Sequence, residues 1–99
     1  MPLSSSLFLA KDETIERIAP AKKGVYALYD RFAILIYYGS AINIQAAIFD
    51  HKYGKHKCTG SAYYFGYEES SDPSSREKEL IEEYQRLNKK LPLCNEPVY

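Results

Sequence analysis

From Gly24 to Gly39 the chain keeps a period of two on both sides of a polar Asp30-Arg31 pair. Val25, Ala27 and Tyr29 alternate with Tyr26 and Leu28, and then Ala33, Leu35 and Tyr37 alternate with Ile34, Ile36 and Tyr38, which predicts a hairpin. With Tyr29 and Phe32 closing the loop, Tyr26 pairs with Leu35 and Gly24 with Tyr37. Tyr26 and Tyr37 then share a face as diagonal neighbours, roughly 7–8 Å apart and within reach of one bound group. Lengthening the loop by two residues keeps that parity; lengthening it by one separates the two tyrosines.

After the hairpin the period changes. Ile44, Ala47, Ile48 and His51 fall at i, i+3, i+4 and i+7, which predicts a helix laid on the sheet, opened by Asn43-Ile44 and carrying His51 on its core side. A histidine there reads equally as a structural residue with a satisfied hydrogen bond and as a catalytic one. Ser61 to Tyr67 reads as a third strand, with Tyr63, Phe65 and Tyr67 on one side and Ala62, Tyr64 and Gly66 on the other. Upstream, Asp12, Glu13 and Thr14 ahead of Ile15 and Ile18 predict a short helix that ends before Pro20 and packs as a lid. Downstream, Asp72-Pro73 supplies an N-cap with proline at the first helical position. Glu77, Leu80, Ile81, Tyr84 and Leu87 then share one face of the main helix, and Glu82 and Arg86 stand in the favourable i, i+4 order. Glu77 is the one carboxylate on that apolar stripe. Ser74 and Glu77 also fit a capping box, in which Glu77 bonds the backbone at the helix start. Together these elements define an α/β class: a small three-stranded, mainly antiparallel sheet flanked by helices near Thr14, Ile48 and Leu80.

Composition narrows the functional classes. A chain of 99 residues buries about 60–65% of its unfolded surface, enough for one core, so residues 1–99 read as a single domain. With 13 basic and 13 acidic side chains the net charge is zero, and any nucleic-acid binding must rest on local charge. Lys52, Lys55 and Lys57, with His56 around Gly54, form the one concentrated basic stretch, suited to backbone phosphates or simply to solvent. Residues 1–10 carry the apolar run Leu7-Phe8-Leu9 but nothing near the ~20 residues of a membrane span and no basic leader. The expected compartment is the cytoplasm, with Cys58 and Cys94 as reduced thiols and a disulfide between them as the alternative. His51, His56, Cys58 and Cys94 lack the paired spacing that pre-forms a zinc site. A Cys58/His56 nucleophilic pair lacks a third residue to orient the base, and no phosphate-cradling glycine motif is present. The 10 tyrosines serve a core without tryptophan, a dimer patch or base stacking.

The tripeptides Gly24-Val25-Tyr26 and Tyr37-Tyr38-Gly39, followed in order by Asn43-Ile44, His51, a helical Glu77 three positions before Leu80-Ile81, and Leu91-Pro92-Leu93-Cys94-Asn95, resemble the GIY-YIG nuclease superfamily over residues 20–95. The resemblance implies a metal-dependent DNA endonuclease, structure-specific rather than sequence-specific. It implies Tyr26, Tyr37, His51 and Glu77 as catalytic residues, with Glu77 holding one divalent cation, Mg²⁺ or Mn²⁺. Gly39 and Asn95 become structural supports, and the basic stretch of Lys52, Lys55 and Lys57, read above from its local charge, would meet the DNA backbone. The superfamily's usual helix Arg is replaced by Ala47, which implies weakened catalysis, since losing one preorganised donor costs ~3–4 kcal/mol. A non-catalytic module of the same fold that binds nucleic acid or a protein is the other class.

Overall fold

Strand β2 (Gly24–Tyr29) runs through the middle of the sheet, and Gly24 to Leu28 are buried. A central strand takes cover on both faces, so its apolar residues need not alternate with polar ones. The computed structural model describes residues 3, 6–54 and 56–95. Lys55 of the basic stretch lies outside them.

The sheet has four strands among the described residues, one more than expected, in the order β1-β4-β2-β3. The addition is β1 (Phe8–Leu9), which pairs Phe8 with Phe65 and Leu9 with Tyr64 of β4 (Tyr64–Glu69). Two residues are too short to show a period, which is why this edge is illegible in the hydropathy pattern. The expected third strand begins later than Ser61, because residues Thr59–Ser61 close a 3-10 turn. β4 and β3 (Leu35–Ala41) flank β2, both antiparallel to it.

The hairpin register differs from the expectation in an instructive way. Asp30 accepts hydrogen bonds from the N–H groups of Phe32 and Ile34, favouring a wider turn in which Ala33 adopts a left-handed φ of 64°. The closing pair becomes Tyr29 with Leu35 instead of Tyr29 with Phe32. An odd displacement of three residues would put Tyr26 and Tyr37 on opposite faces. A bulge restores the parity: Leu28 pairs with Tyr37, so Ile36 is an extra residue in β3, and Tyr26 pairs with Gly39. Tyr37 thus remains a diagonal neighbour of Tyr26, approached from the other side.

Helices cover both faces. Ile15 and Ala19, from α1 (Asp12–Ile18) and the residue after it, and Ile44 and Ile48 of α2 (Ile44–Tyr53) pack on Tyr26, Leu28, Ile36 and Phe65. On the opposite face Leu80 of α3 (Pro73–Asn88) packs on Val25, Ala27 and Tyr38, with Ile81 and Tyr84 beside it. Leu87, expected on the same stripe, is 70% exposed, and Arg86 stands 4.0 Å from Glu83 instead of pairing with Glu82. Asn43 caps α2 through the N–H of Ala46. Asp72 caps α3 through the N–H of Ser75. Ser74 therefore lies inside the helix, and the Ser74/Glu77 capping box does not form.

Cys58 and Cys94 form a disulfide across a separation of 36 residues, with Cα atoms 5.6 Å apart. This corrects the expectation of reduced thiols, since spacing along the chain carries no information on their proximity in space. A crosslink closing a loop of that length is worth about 4 kcal/mol in the chain-entropy account. Among the described residues no helix is long and apolar enough to cross a membrane.

Candidate active site

Tyr26 points from the middle of β2 toward α2, and its side chain is only 3% exposed. Its hydroxyl lies 2.7 Å from Nε2 of His51, which occupies the last turn of α2 and is 7% exposed. The His51 ring is held on its other side, with Nδ1 2.6 Å from Oγ1 of Thr59. Tyr37 completes the cluster from β3, its ring centroid 4.8 Å from that of His51 and 6.1 Å from that of Tyr26. These three side chains, expected together from the alternation and the helical stripe, converge in space.

The approach of the two tyrosines requires Gly39. A Cβ at this position would lie 2.5 Å from the Tyr26 ring and hydroxyl and 2.8 Å from the Tyr37 ring, well inside van der Waals contact. Asn95 supports the same strand from outside: its amide oxygen accepts from the Tyr38 N–H at 2.9 Å and its amide nitrogen donates to the Tyr38 carbonyl at 2.9 Å. Because β3 is the outermost strand, this side chain satisfies two groups of an open edge.

Burial dominates the electrostatics. It pushes the Tyr26 phenol far above its ordinary value, with Tyr37 and then the charges of Glu77 and Asp50 acting in the same direction. Burial and then Glu77 also raise Tyr37, against the hydrogen-bonding effect of Tyr26, which lowers it. His51 moves the other way: burial lowers it, His56 adds to the effect, and Asp50 opposes it. At neutral pH both phenols carry their protons and the imidazole is neutral.

Glu77 lies on α3, which packs on the other face of the sheet, and its charge helps raise Tyr26 and Tyr37, while its neighbour Arg76 binds Glu68 and Glu79. Among the described residues no group of three or more His, Cys, Asp or Glu side chains converges on one point. A divalent cation at Glu77 would have one protein carboxylate, with water and phosphate oxygens filling the other positions. Mg²⁺ accepts such a set readily, so the donors present fit a hard cation and not a soft one.

Two further residues join the cluster: Thr59, which carries no signal in the sequence, and His56, which the sequence shows as part of the basic stretch and not as a neighbour of His51. Thr59 is an unremarked threonine in a loop, brought to His51 by the 3-10 turn and buried there. His56 is in contact with His51, with ring centroids 4.4 Å apart, and its Nε2 lies 3.0 Å from Asp50. The basic stretch is less open than its composition suggests. Lys52 belongs to α2 and binds Asp12 at 2.8 Å and the Ala10 carbonyl at 3.1 Å, and Tyr53 donates to the same Asp12. Lys57 is exposed.

No protein-family model and no curated protein matches the sequence. Among solved structures, the N-terminal GIY-YIG endonuclease domain of UvrC from Thermotoga maritima aligns with a TM-score of 0.62 at 18% identity, covering 88% of this chain and 99% of that one. It does so in two point mutants, each with phenylalanine for a tyrosine and each bound to the catalytic divalent cation of that enzyme. This chain is a GIY-YIG-fold domain.

Proposed function

We propose that the chain is a metal-dependent DNA endonuclease domain that hydrolyses phosphodiesters, with Tyr26, Tyr37, His51 and Glu77 as its catalytic residues. The observation that carries this reading is the 2.7 Å hydrogen bond between the buried Tyr26 hydroxyl and His51. A neutral imidazole beside a phenol forms a path for a proton. Tyr26 removes a proton from the attacking water while its own passes to Nε2 of His51. Such a relay lets a phenol of very high pKa act as a base, because it never has to exist as a free phenolate. Tyr37 donates its hydroxyl hydrogen to a phosphate oxygen.

Glu77 would hold the one divalent cation, Mg²⁺ or Mn²⁺. When bound, that ion supplies Lewis-acid stabilisation of the charge that develops on the phosphoryl and leaving oxygens. Gly39 and Asn95 keep the tyrosine-bearing strand in place, and Lys55 and Lys57, with Lys52 already engaged, meet the phosphate backbone. Contacts of that kind read DNA structure and not base sequence. Ala47 offers no charge, so the rate falls below that of a site with a guanidinium there.

One observation favours a second reading, a non-catalytic module of the same fold that binds nucleic acid or a protein. Ala47 packs against the core that includes Tyr26, and Lys52, further along α2, is bound to Asp12, so neither supplies a cation to a phosphate. Incubation with branched and single-stranded DNA decides between the two. Cleavage that requires Mg²⁺ or Mn²⁺ and disappears in Glu77→Gln supports the nuclease; binding without cleavage under the same conditions supports the module. The proposed action on DNA suits a cytoplasmic domain, a compartment in which a disulfide such as Cys58–Cys94 is uncommon. Thiol labelling of Cys58 and Cys94 in fresh extract checks that assignment, a fully oxidised pair counting against it.

A further inference from the structure

Both ring nitrogens of His51 are hydrogen-bonded, Nε2 to Tyr26 at 2.7 Å and Nδ1 to Thr59 at 2.6 Å. A neutral imidazole offers one donor and one acceptor, so the two hydroxyls must take opposite roles. Either the phenol donates to a bare Nε2 and Thr59 accepts from Nδ1–H, or Thr59 donates to a bare Nδ1 and the phenol oxygen accepts from Nε2–H. The chemistry of the two hydroxyls separates these patterns. A phenol is the stronger acid and hence the better donor, whereas its oxygen lone pair is delocalised into the ring and accepts poorly. An aliphatic hydroxyl is the weaker acid and the better acceptor. Both differences favour the first pattern.

We infer that Thr59 is a positioning residue that takes the Nδ1 hydrogen of His51 and so holds the imidazole in the tautomer whose bare Nε2 faces Tyr26. The tautomer itself does not depend on the proposed reaction; its consequence for rate rests on that reading. As water gives a proton to Tyr26, the Tyr26 proton moves to Nε2, and the resulting imidazolium keeps its Nδ1–H on Thr59. In the other tautomer Nε2 already carries a hydrogen and has no lone pair for a second one.

The fold holds Thr59 tightly enough for this task. Thr59 is 4% exposed. It lies in a turn closed by the N–H of Ala62 on its carbonyl at 3.1 Å, and the N–H of Gly60 bonds the His56 carbonyl at 2.8 Å. Its neighbour Cys58 is tied to Cys94, the neighbour of Asn95. One crosslink therefore connects the turn that orients His51 to the turn that brackets Tyr38, beside Tyr37.

The test compares wild type, Thr59→Ser and Thr59→Val by ¹⁵N NMR of the His51 ring, together with steady-state cleavage. The expected result is an Nδ1–H tautomer in wild type and Thr59→Ser. Thr59→Val should show loss of that single tautomer and a fall in kcat of about 10–100-fold with KM unchanged, the usual scale for a supporting hydrogen bond. An Nε2–H tautomer in wild type overturns the inference, as does a Thr59→Val protein with unaltered ring shifts. If Thr59→Val fails to fold, the wild-type tautomer decides alone. If the wild type cleaves nothing, the proposed reaction fails while the ring shifts still judge Thr59.

Discussion

The hydroxyl of Tyr26 and Nε2 of His51 meet at 2.7 Å although they stand 25 residues apart, one in the centre of a sheet and the other in the last turn of a helix packed on it. A core that buries both groups leaves the imidazole neutral and the phenol protonated. That is the state from which a proton can move from one to the other.

His51 should make stability depend on pH. Its folded pKa lies below the ordinary 6.5, through burial first and His56 second, against Asp50. Between that lowered value and 6.5 the unfolded chain binds more protons than the folded one, so this contribution is fully present above 6.5 and is lost as the pH falls toward the folded value. Denaturant melts at about pH 7.5 and about pH 5.5 should show a larger loss in wild type than in His51→Gln. Equal losses would mean that His51 is accessible to protons in the folded state.

Gly39→Ala should damage both fold and site. The added methyl would stand 2.5 Å from the Tyr26 ring, and in a packed sheet such a clash costs about 1–3 kcal/mol, or roughly 4–8 °C in Tm per kcal/mol for a domain of this size. Calorimetry measures the loss. A Tm equal to wild type would contradict the packing described at this position.

The basic residues should not act equally on DNA. Lys57→Ala should lower the slope of log K against log salt by about 0.9, the signature of one lost phosphate contact. Lys52→Ala should leave the slope unchanged, because that ammonium is bound to Asp12. Fluorescence anisotropy across a salt series reads both, and equal slopes for the two variants would return Lys52 to the interface.

What was legible in the sequence was whatever a short-range period could carry. The alternation through Tyr26 and Tyr37 and the stripe ending at His51 predicted the cluster, and the GIY-YIG fold followed from the motifs they belong to. The turn is wider than the alternation implies because the Asp30 side chain competes for the backbone, yet the bulge at Ile36 restores the shared facing. β1 was hidden because two residues have no period. The Cys58–Cys94 bridge, the Thr59 contact and the engagement of Lys52 by Asp12 are long-range pairings between elements, set by how layers pack and invisible along the chain.

Ala47→Arg should strengthen the proposed catalysis. Ala47 is partly buried against the core, so the Arg stem can lie along apolar surface with its head in solvent, at a stability cost of no more than about 1–3 kcal/mol. Cleavage of branched or single-stranded DNA should rise by about 10²-fold, the scale of one transition-state donor. A folded variant that binds DNA and metal yet gains no activity would favour the non-catalytic reading.

The most direct measurement is metal-dependent cleavage by Tyr26→Phe beside wild type. The substitution keeps the ring that packs in the core and removes the hydroxyl that meets His51. The expected result is a fall in kcat of about 10²–10⁴-fold, the range for general base catalysis, with DNA affinity retained. Cleavage by Tyr26→Phe at the wild-type rate, or none by the wild type with Mg²⁺ or Mn²⁺, would contradict the assignment of this pair to phosphodiester hydrolysis.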